Sequence, residues 1–468
     1  MDKKYDIVVF GSGPGGYVAA IRASQLGFKT AVVDKDNLGG ICLNWGCIPT
    51  KSLLKNAEMY DKIKNHSDEF GLSVKGVDFD FSKIIKRSRD VSSKITKGVE
   101  FLMKKNKIDV IKGFGKFKSK NELQILDEKG TETQIVNSDK FIIATGARPR
   151  KVDAIPVDHK NIITSKEAMS LESLPKELIV IGAGAIGVEF AYFYSVLGTK
   201  VTIIEMLDRI VPVEDADSSK ELERSFKKRG IEIFTSTKVE KAEVKKGKVE
   251  VTIETKDGKK QTIKAEKVLN AIGVMGNVEG IGLEDIGVEI ERNHIKVNKS
   301  TYQTSVNNIY AIGDIIGAPW LAHVASHEGI ICVEKLAGHN TPDFDYSSVP
   351  GCTYCQPQVA SIGLTEAKAK EKGYELKIGK FPFSASGKAA AAGEKEGFVK
   401  IIFDAKYGEL LGAHIVGSEA TELIAEIGIA KSMEATYESI VKTVHAHPTL
   451  SESIMEAAGN AYGESIHI

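Results

Sequence analysis

The sequence has 468 residues, 42% hydrophobic and 27% charged, which leaves room for about three domains and excludes the disordered and fibrous classes. Lys and Arg total 63 and so do Asp and Glu, a balance that argues against a surface built to coat nucleic acid or an anionic membrane. No apolar run reaches the ~18 residues of a membrane span, the first apolar run is too short for a signal peptide, and five cysteines are too few for a disulfide scaffold, so a cytoplasmic protein is predicted.

In chain order, residues 5–10 (YDIVVF) read as a buried strand. Gly11, Gly13 and Gly16 follow as G-x-G-x-x-G, a helix pattern runs to Leu26-Gly27, and a second strand ends at Asp34. The same landmarks recur 171 residues later. The strand ELIVI (177–181) leads into Gly182, Gly184 and Gly187, a helix pattern runs to Leu197-Gly198, and a strand ends at Glu205. One such motif is weak evidence, because glycine is common in turns. Two in matching strand–glycine–helix–strand–acid context predict two dinucleotide sites. The first glycine makes the tight turn, the second lets backbone approach a pyrophosphate, and the third lets helix and strand pack closely. The phosphates lie at the helix N-terminus, where free N–H groups and the dipole attract anions. The terminal acid accepts from ribose hydroxyls. A carboxylate at Glu205 repels a 2′-phosphate and so favours NAD over NADP, although Arg209 stands four residues on.

Between the first acid and the next helix lies LGGICLNWGCIPTKSLL (38–54), with Cys42 and Cys47 five apart. A close cysteine pair in a cysteine-poor protein points to redox or metal chemistry. A four-cysteine zinc site with Cys352 and Cys355 is the alternative, disfavoured because neither pair has a zinc-finger-like context. In an ideal helix, residues five apart have Cα atoms about 8.6 Å apart. A disulfide needs less than about 7 Å. If these two bond, the chain between them departs from regular helix, and Gly39-Gly40 and Pro49 fit that departure.

Further on, residues 231–272 alternate as strands around a KDGK turn at 256–259, and a helix is expected near 321–337. After Val349-Pro350 the pattern becomes α+β, with strands at 398–403 and 410–417 and helices at 419–433 and 449–458.

The segment GGICLNWGCIPTK, the two glycine motifs, IIATGARPR (142–150), YAIGD (310–314) and HAHPTLSE (445–452) resemble, in that order, the flavoprotein pyridine-nucleotide disulfide oxidoreductases. The likeness covers essentially the whole chain and is greatest to the branch that reoxidises protein-bound dihydrolipoamide. It implies an α/β fold with two Rossmann-like domains, the first holding FAD and the second NAD, plus a C-terminal α+β dimerisation domain. The implied boundaries are 1–147 (FAD, first part), 148–272 (NAD), 273–346 (a central domain completing the FAD site) and 347–468 (dimerisation).

By position, the resemblance makes Cys42 the thiol that meets substrate and Cys47 the thiolate under the flavin. Asp314 would bond the FAD ribityl chain, and Lys51 and Glu189 would pair near the flavin. Gly115, Thr145, Gly146 and Ala322 would line FAD; Val239, Ala271 and Gly273 would line NAD. Without the resemblance, Lys51 and Glu189 read as solvated charges. His447 would be the base that generates substrate thiolate, with Glu452 holding its ring, in a site shared between the subunits of a homodimer. His445 reads as structural, without a distinct chemical partner.

The implied partners are lipoyl domains of 2-oxo acid dehydrogenase acyltransferases or the glycine cleavage H protein, since no lipoyl domain precedes residue 5. Neither nucleic acid nor membrane is expected as a partner. Asp34, Trp45, Val324 and the Cys352/Cys355 pair depart from the common pattern; Cys352, Cys355 and Cys332 read as small apolar side chains. A glutathione-reductase-like enzyme is the near rival, against which Glu205 argues, while the cysteine-free tail GNAYGESIHI argues against mercuric and large thioredoxin reductases. A non-enzymatic flavoprotein scaffold is the distant rival; retention of both thiols and the His/Glu pair opposes it.

Overall fold

A computed structural model describes residues 4–468. The chain divides into two compact units. One gathers the residues through Ser52 with Lys83–Arg150 and Gly273–Phe344; the other gathers Leu53–Ser82, Lys151–Ile272 and Asp345–Ile468.

The first unit is built on a seven-stranded sheet. The strands Asp109–Lys112, Thr30–Asp34, Lys4–Phe10 and Glu132–Ile143 run parallel in that order. Glu122–Leu126 and Phe114–Ser119 continue the sheet antiparallel, and Ile309–Ala311 pairs parallel with the far end of Glu132–Ile143. The strand Lys4–Phe10 is central, and Ile7, Val8 and Val9 are fully buried, as a continuous apolar run in a parallel sheet requires. The helix Pro14–Gln25 packs on the helix Ala322–Leu336 through small residues: a Cβ on Gly329 would lie 2.8 Å from the Gly15 carbonyl oxygen.

The second unit contains three main sheets, the first two sharing one apolar core and the third having its own. Five parallel strands run in the order Glu232–Phe234, Lys200–Ile204, Glu177–Ile181, Lys267–Asn270, Ile162–Ile163. A three-stranded antiparallel sheet (Lys238–Lys245, Lys248–Glu254, Lys260–Ala265) turns at the KDGK segment. The C-terminal sheet is antiparallel, in the order Gly351–Thr353, Gln358–Gly363, Leu410–Gly417, Phe398–Asp404, Leu376–Pro382. Its apolar core is shared with the helices Ala420–Ser432 and Glu452–Asn460. The α+β expectation for this region holds.

Among the described residues no helix is long and apolar enough to cross a membrane, and no group of three or more His, Cys, Asp or Glu side chains is placed to hold a metal.

Candidate active site

The two glycine motifs fold alike. Gly11 and Gly182 adopt φ of +109° and +99°, and a Cβ on either would come within 2.4 Å of a carbonyl oxygen, that of Ala144 or Ala271. A Cβ on Gly16 or Gly187 would lie 1.9 or 2.0 Å from the carbonyl oxygen of Gly11 or Gly182. These four glycines answer to packing. Gly13 and Gly184 do not: their φ values are −63° and −71°, and nothing lies within 4 Å of a Cβ. Each caps a helix that has no side-chain cap. Open space beside bare N–H groups at a helix start fits a pyrophosphate.

The acids behave alike too. Asp34 Oδ2 accepts from the Ser12 amide at 2.7 Å and hydroxyl at 2.6 Å, and Asp34 Oδ1 from the Asp36 amide at 2.9 Å. Glu205 Oε2 accepts from the Ala183 amide at 2.7 Å and Oε1 from the Leu207 amide at 2.8 Å. Both carboxylates are thus fixed at their strand ends, with lone pairs remaining for a ribose.

Asp314 is half-buried on a short turn, and desolvation, aided by the charge of Glu328, raises its carboxyl to about 6. A carboxyl so desolvated suits hydroxyl donors of a bound ligand. Thr145 and Gly146 lie in the short connection before the strand Ala147–Pro149, tied to Asn277, whose side-chain amide donates to the Thr145 carbonyl at 2.8 Å. Gly115 lies on the strand Phe114–Ser119 against the Phe10 ring, and Ala322 begins its helix. Val239 sits on the strand Lys238–Lys245, the Ala271 amide donates to Ile181, and Gly273 holds φ +114°.

The cysteine segment departs from regular helix as expected. Two helices, Gly40–Trp45 and Cys47–Asn65, meet at Gly46, whose φ of −145° and ψ of −117° interrupt the spiral between the two cysteines. Cys42 and Cys47 are both thiols and hydrogen-bond each other. That bond, with burial and the charge of Cys47, pushes the Cys42 thiol up, while Lys51 draws it down. Two thiols in such contact fit a redox disulfide. Lys51 is half-buried on the first turns of the second helix.

Glu189 is 4% exposed, and its Oε1 accepts from the Tyr354 amide at 2.9 Å. A solvated charge, the reading its residue type suggests by itself, is excluded. His447 Nδ1 lies 2.8 Å from Glu452 Oε1, and the ring is largely exposed. Glu452 opens its helix, and Oε2 accepts from the Thr449 amide at 2.8 Å. That amide and His447 hold the Glu452 carboxyl below its usual range.

The structure corrects the reading of His445, which does have a partner. Its side chain is buried, with Nε2 2.7 Å from Glu426 Oε1 and Nδ1 2.9 Å from the Thr443 carbonyl. Glu426 lies 19 residues upstream on another helix, out of reach of any local pattern. Of the open cysteine pair, Cys352 sits on an edge strand, whereas buried Cys355 lies beyond it, its thiol directed to the Pro357 carbonyl at 3.4 Å. Cys332 is buried in its apolar helix.

Sequence reasoning also passed over a second buried cluster. Lys400, 3% exposed, donates to Asp215 and Glu366 at 2.8 Å and to Asp217 at 3.1 Å. Beside it, burial pushes Glu214 up to about 7. The one sequence signal was a lysine inside the apolar strand FVKIIF.

Residues 5–329 match the family model described as pyridine nucleotide-disulphide oxidoreductase, and residues 349–458 match that family's dimerisation domain. The chain belongs to the pyridine nucleotide-disulphide oxidoreductase family. It is 50% identical to a dihydrolipoyl dehydrogenase of Rhizobium etli and 47% identical to one of Bacillus subtilis, each alignment covering 100% of both chains. The crystal structure of LpdA from Mycobacterium tuberculosis superposes with a TM-score of 0.89 at 27% identity, over 97% of this chain and 99% of that one. The flavoprotein disulfide reductase RclA from Escherichia coli, as a Cu(II) complex, gives 0.87 at 25% identity, over 98% and 99%. The family's cofactors are FAD and a pyridine nucleotide, in keeping with two dinucleotide motifs.

Proposed function

We propose that the protein is a dihydrolipoyl dehydrogenase, oxidising protein-bound dihydrolipoamide to lipoamide with NAD as final acceptor. The observation that carries this reading is the thiol pair across the Gly46 break, set in a chain that aligns end to end with curated dihydrolipoyl dehydrogenases.

The residues divide the work. With Cys42 and Cys47 joined as a disulfide, His447 Nε2 takes a proton from one dihydrolipoamide thiol. Glu452 holds Nδ1 and stabilises the imidazolium that forms. The substrate thiolate attacks Cys42 Sγ, and Cys47 leaves as thiolate. The second substrate thiol then displaces Cys42, which takes a proton, and lipoamide departs with its own disulfide closed. FAD, when bound along the first motif with Asp34 and Asp314, supplies the two-electron chemistry that links the dithiol to NAD. The second motif would hold NAD, with Glu205 disfavouring a 2′-phosphate. Lys51 and Glu189 belong to the flavin environment.

In this reading His447 serves the thiols of the partner subunit, so the site needs the homodimer, and the substrate arrives on a lipoyl domain of a 2-oxo acid dehydrogenase or glycine cleavage system. A cytoplasmic setting suits a thiol pair that must be reduced in turnover. The test mixes the purified yellow protein with NADH and then offers lipoamide or glutathione disulfide. Reoxidation by lipoamide supports the proposal; reoxidation by glutathione disulfide alone overturns it.

A further inference from the structure

The break at Gly46 leaves the helix Gly40–Trp45 with carbonyls that no following turn can satisfy. They are satisfied from outside, by one face of the helix Phe81–Lys105. Arg89 Nη1 donates to the Asn44 carbonyl at 2.7 Å, and Ser92 Oγ donates to the Leu43 carbonyl at 2.5 Å. Thr96 Oγ1 donates to the Asn44 side-chain oxygen at 3.2 Å. Positions 89, 92 and 96 follow the i, i+3, i+7 spacing of a single helical face. The Asn44 amide group turns back to the Leu38 and Gly40 carbonyls at 3.0 and 2.9 Å. The Arg89 guanidinium also stands over the Trp45 ring, 4.9 Å from its centroid, in cation–π contact. A cation at the C-terminal end of a helix is favoured by the dipole as well.

Leu43, Asn44 and Trp45 are the residues between the two thiols that this clasp reaches. Whatever fixes them fixes how closely Cys42 and Cys47 approach. We propose that Arg89, stacked on Trp45 and bonded to Asn44, is a positioning residue for the Cys42–Cys47 couple. It holds the interrupted turn in a geometry that favours the disulfide. The proposal rests on the redox reading of the two thiols.

The reaction that measures it is the exchange with glutathione. One glutathione disulfide is cleaved to two glutathione thiols while Cys42 and Cys47 lose two electrons and two protons and join Sγ to Sγ. The intact holoenzyme is equilibrated without oxygen at fixed ratios of glutathione disulfide to glutathione and quenched with an alkylating agent. The two cysteines are then counted by mass spectrometry. Arg89→Met lowers the disulfide-to-dithiol ratio about fivefold or more, because pre-orientation of the sulfurs is lost. Its kcat with lipoamide falls while KM holds, and Arg89→Lys, which keeps a donor but loses the planar stack, recovers part of both. Ser92→Ala, a smaller change on the same face, shifts the ratio in the same direction. Wild-type ratios in both Arg89→Met and Ser92→Ala overturn the clasp. A wild-type protein whose thiols do not exchange at all overturns the redox reading instead.

Discussion

The two glycine motifs are twins up to their acids and strangers after them. Hydrogen bonds repeat with the landmarks: the Gly11 amide to Val33 and the Gly182 amide to Ile204 are both 2.8 Å, and each acid takes the amides one residue past the first glycine and two residues past itself. The helices already differ on their outer faces. Gly15 meets another helix backbone, whereas its counterpart Ile186 is 43% exposed, and the second helix instead buries Phe190, Tyr192, Phe193 and Tyr194. Past the acid, the first copy runs into Cys42 and Cys47 and the second into Glu214 and Asp215. Ligand geometry holds the shared part in one form, while the segment after the acid is free to carry thiols in one copy and buried charge in the other.

The largest effects are expected in the shared part. Gly11→Ala and Gly182→Ala both force a Cβ against backbone at a φ that favours glycine. Both should abolish NADH-driven lipoamide turnover, yet they separate by absorbance: Gly11→Ala loses the flavin, whereas Gly182→Ala keeps it and is no longer reduced by NADH. A Gly182→Ala protein that purifies colourless would break the assignment of the two motifs to two cofactors.

Next comes the chemistry that only the first copy carries. His447→Gln keeps a polar side chain but removes the proposed base, which should cost about 10²–10⁴-fold in lipoamide turnover, or roughly 3–5 kcal/mol of barrier. Reduction by NADH should stay normal in stopped flow. Lipoamide turnover near the wild-type rate would take His447 out of the mechanism.

What the sequence made readable divides along the same line. Strand, turn and acid were legible in both copies because one local pattern, apolar run then spaced glycines, encodes them. The interruption between Cys42 and Cys47 was legible from covalent reach, though its seat at Gly46 was not. His447 and Glu452 lie five apart, so their pairing could be anticipated. The structural reading of His445 stands, but its partner could not be read, because Glu426 lies on a helix 19 residues upstream. Lys400 with its three carboxylates, and Arg89 over Trp45, are likewise long-range: each joins elements that only the folded sheet or helix packing brings together.

Buried charge after the second acid makes a stability prediction. Glu214 is 8% exposed, and its carboxyl is raised from the ordinary 4.5 to about 7, chiefly by burial. Between those values the folded protein binds more protons than the unfolded chain, so stability falls as pH rises through this window. Above it the loss is constant, about 3 kcal/mol at 1.36 kcal/mol per unit. Glu214→Gln carries no charge to bury and should be the more stable protein at pH 8. The advantage should shrink toward zero at pH 4. Denaturant unfolding of the holoenzyme at both pH values measures it, and a variant less stable than wild type at pH 8 would contradict the burial argument.

The smallest effect tests most directly why the copies match. Gly13 and Gly184 have backbone angles that alanine adopts freely and space for a methyl group. Folding therefore gives no reason for glycine at either position, and the reason left is the approach of a ligand to the backbone. Gly13→Ala and Gly184→Ala should each leave the unfolding free energy of the cofactor-free protein within about 0.5 kcal/mol of wild type. Affinity should fall about tenfold or more, equivalent to roughly 1.4 kcal/mol, for FAD in the first variant and for NAD in the second, each leaving the other cofactor untouched. Titration calorimetry and flavin retention measure the two sides. If Gly13→Ala destabilised the cofactor-free chain as Gly11→Ala does, the middle glycine would answer to packing after all, and the matched motifs would report a shared fold rather than two ligand sites.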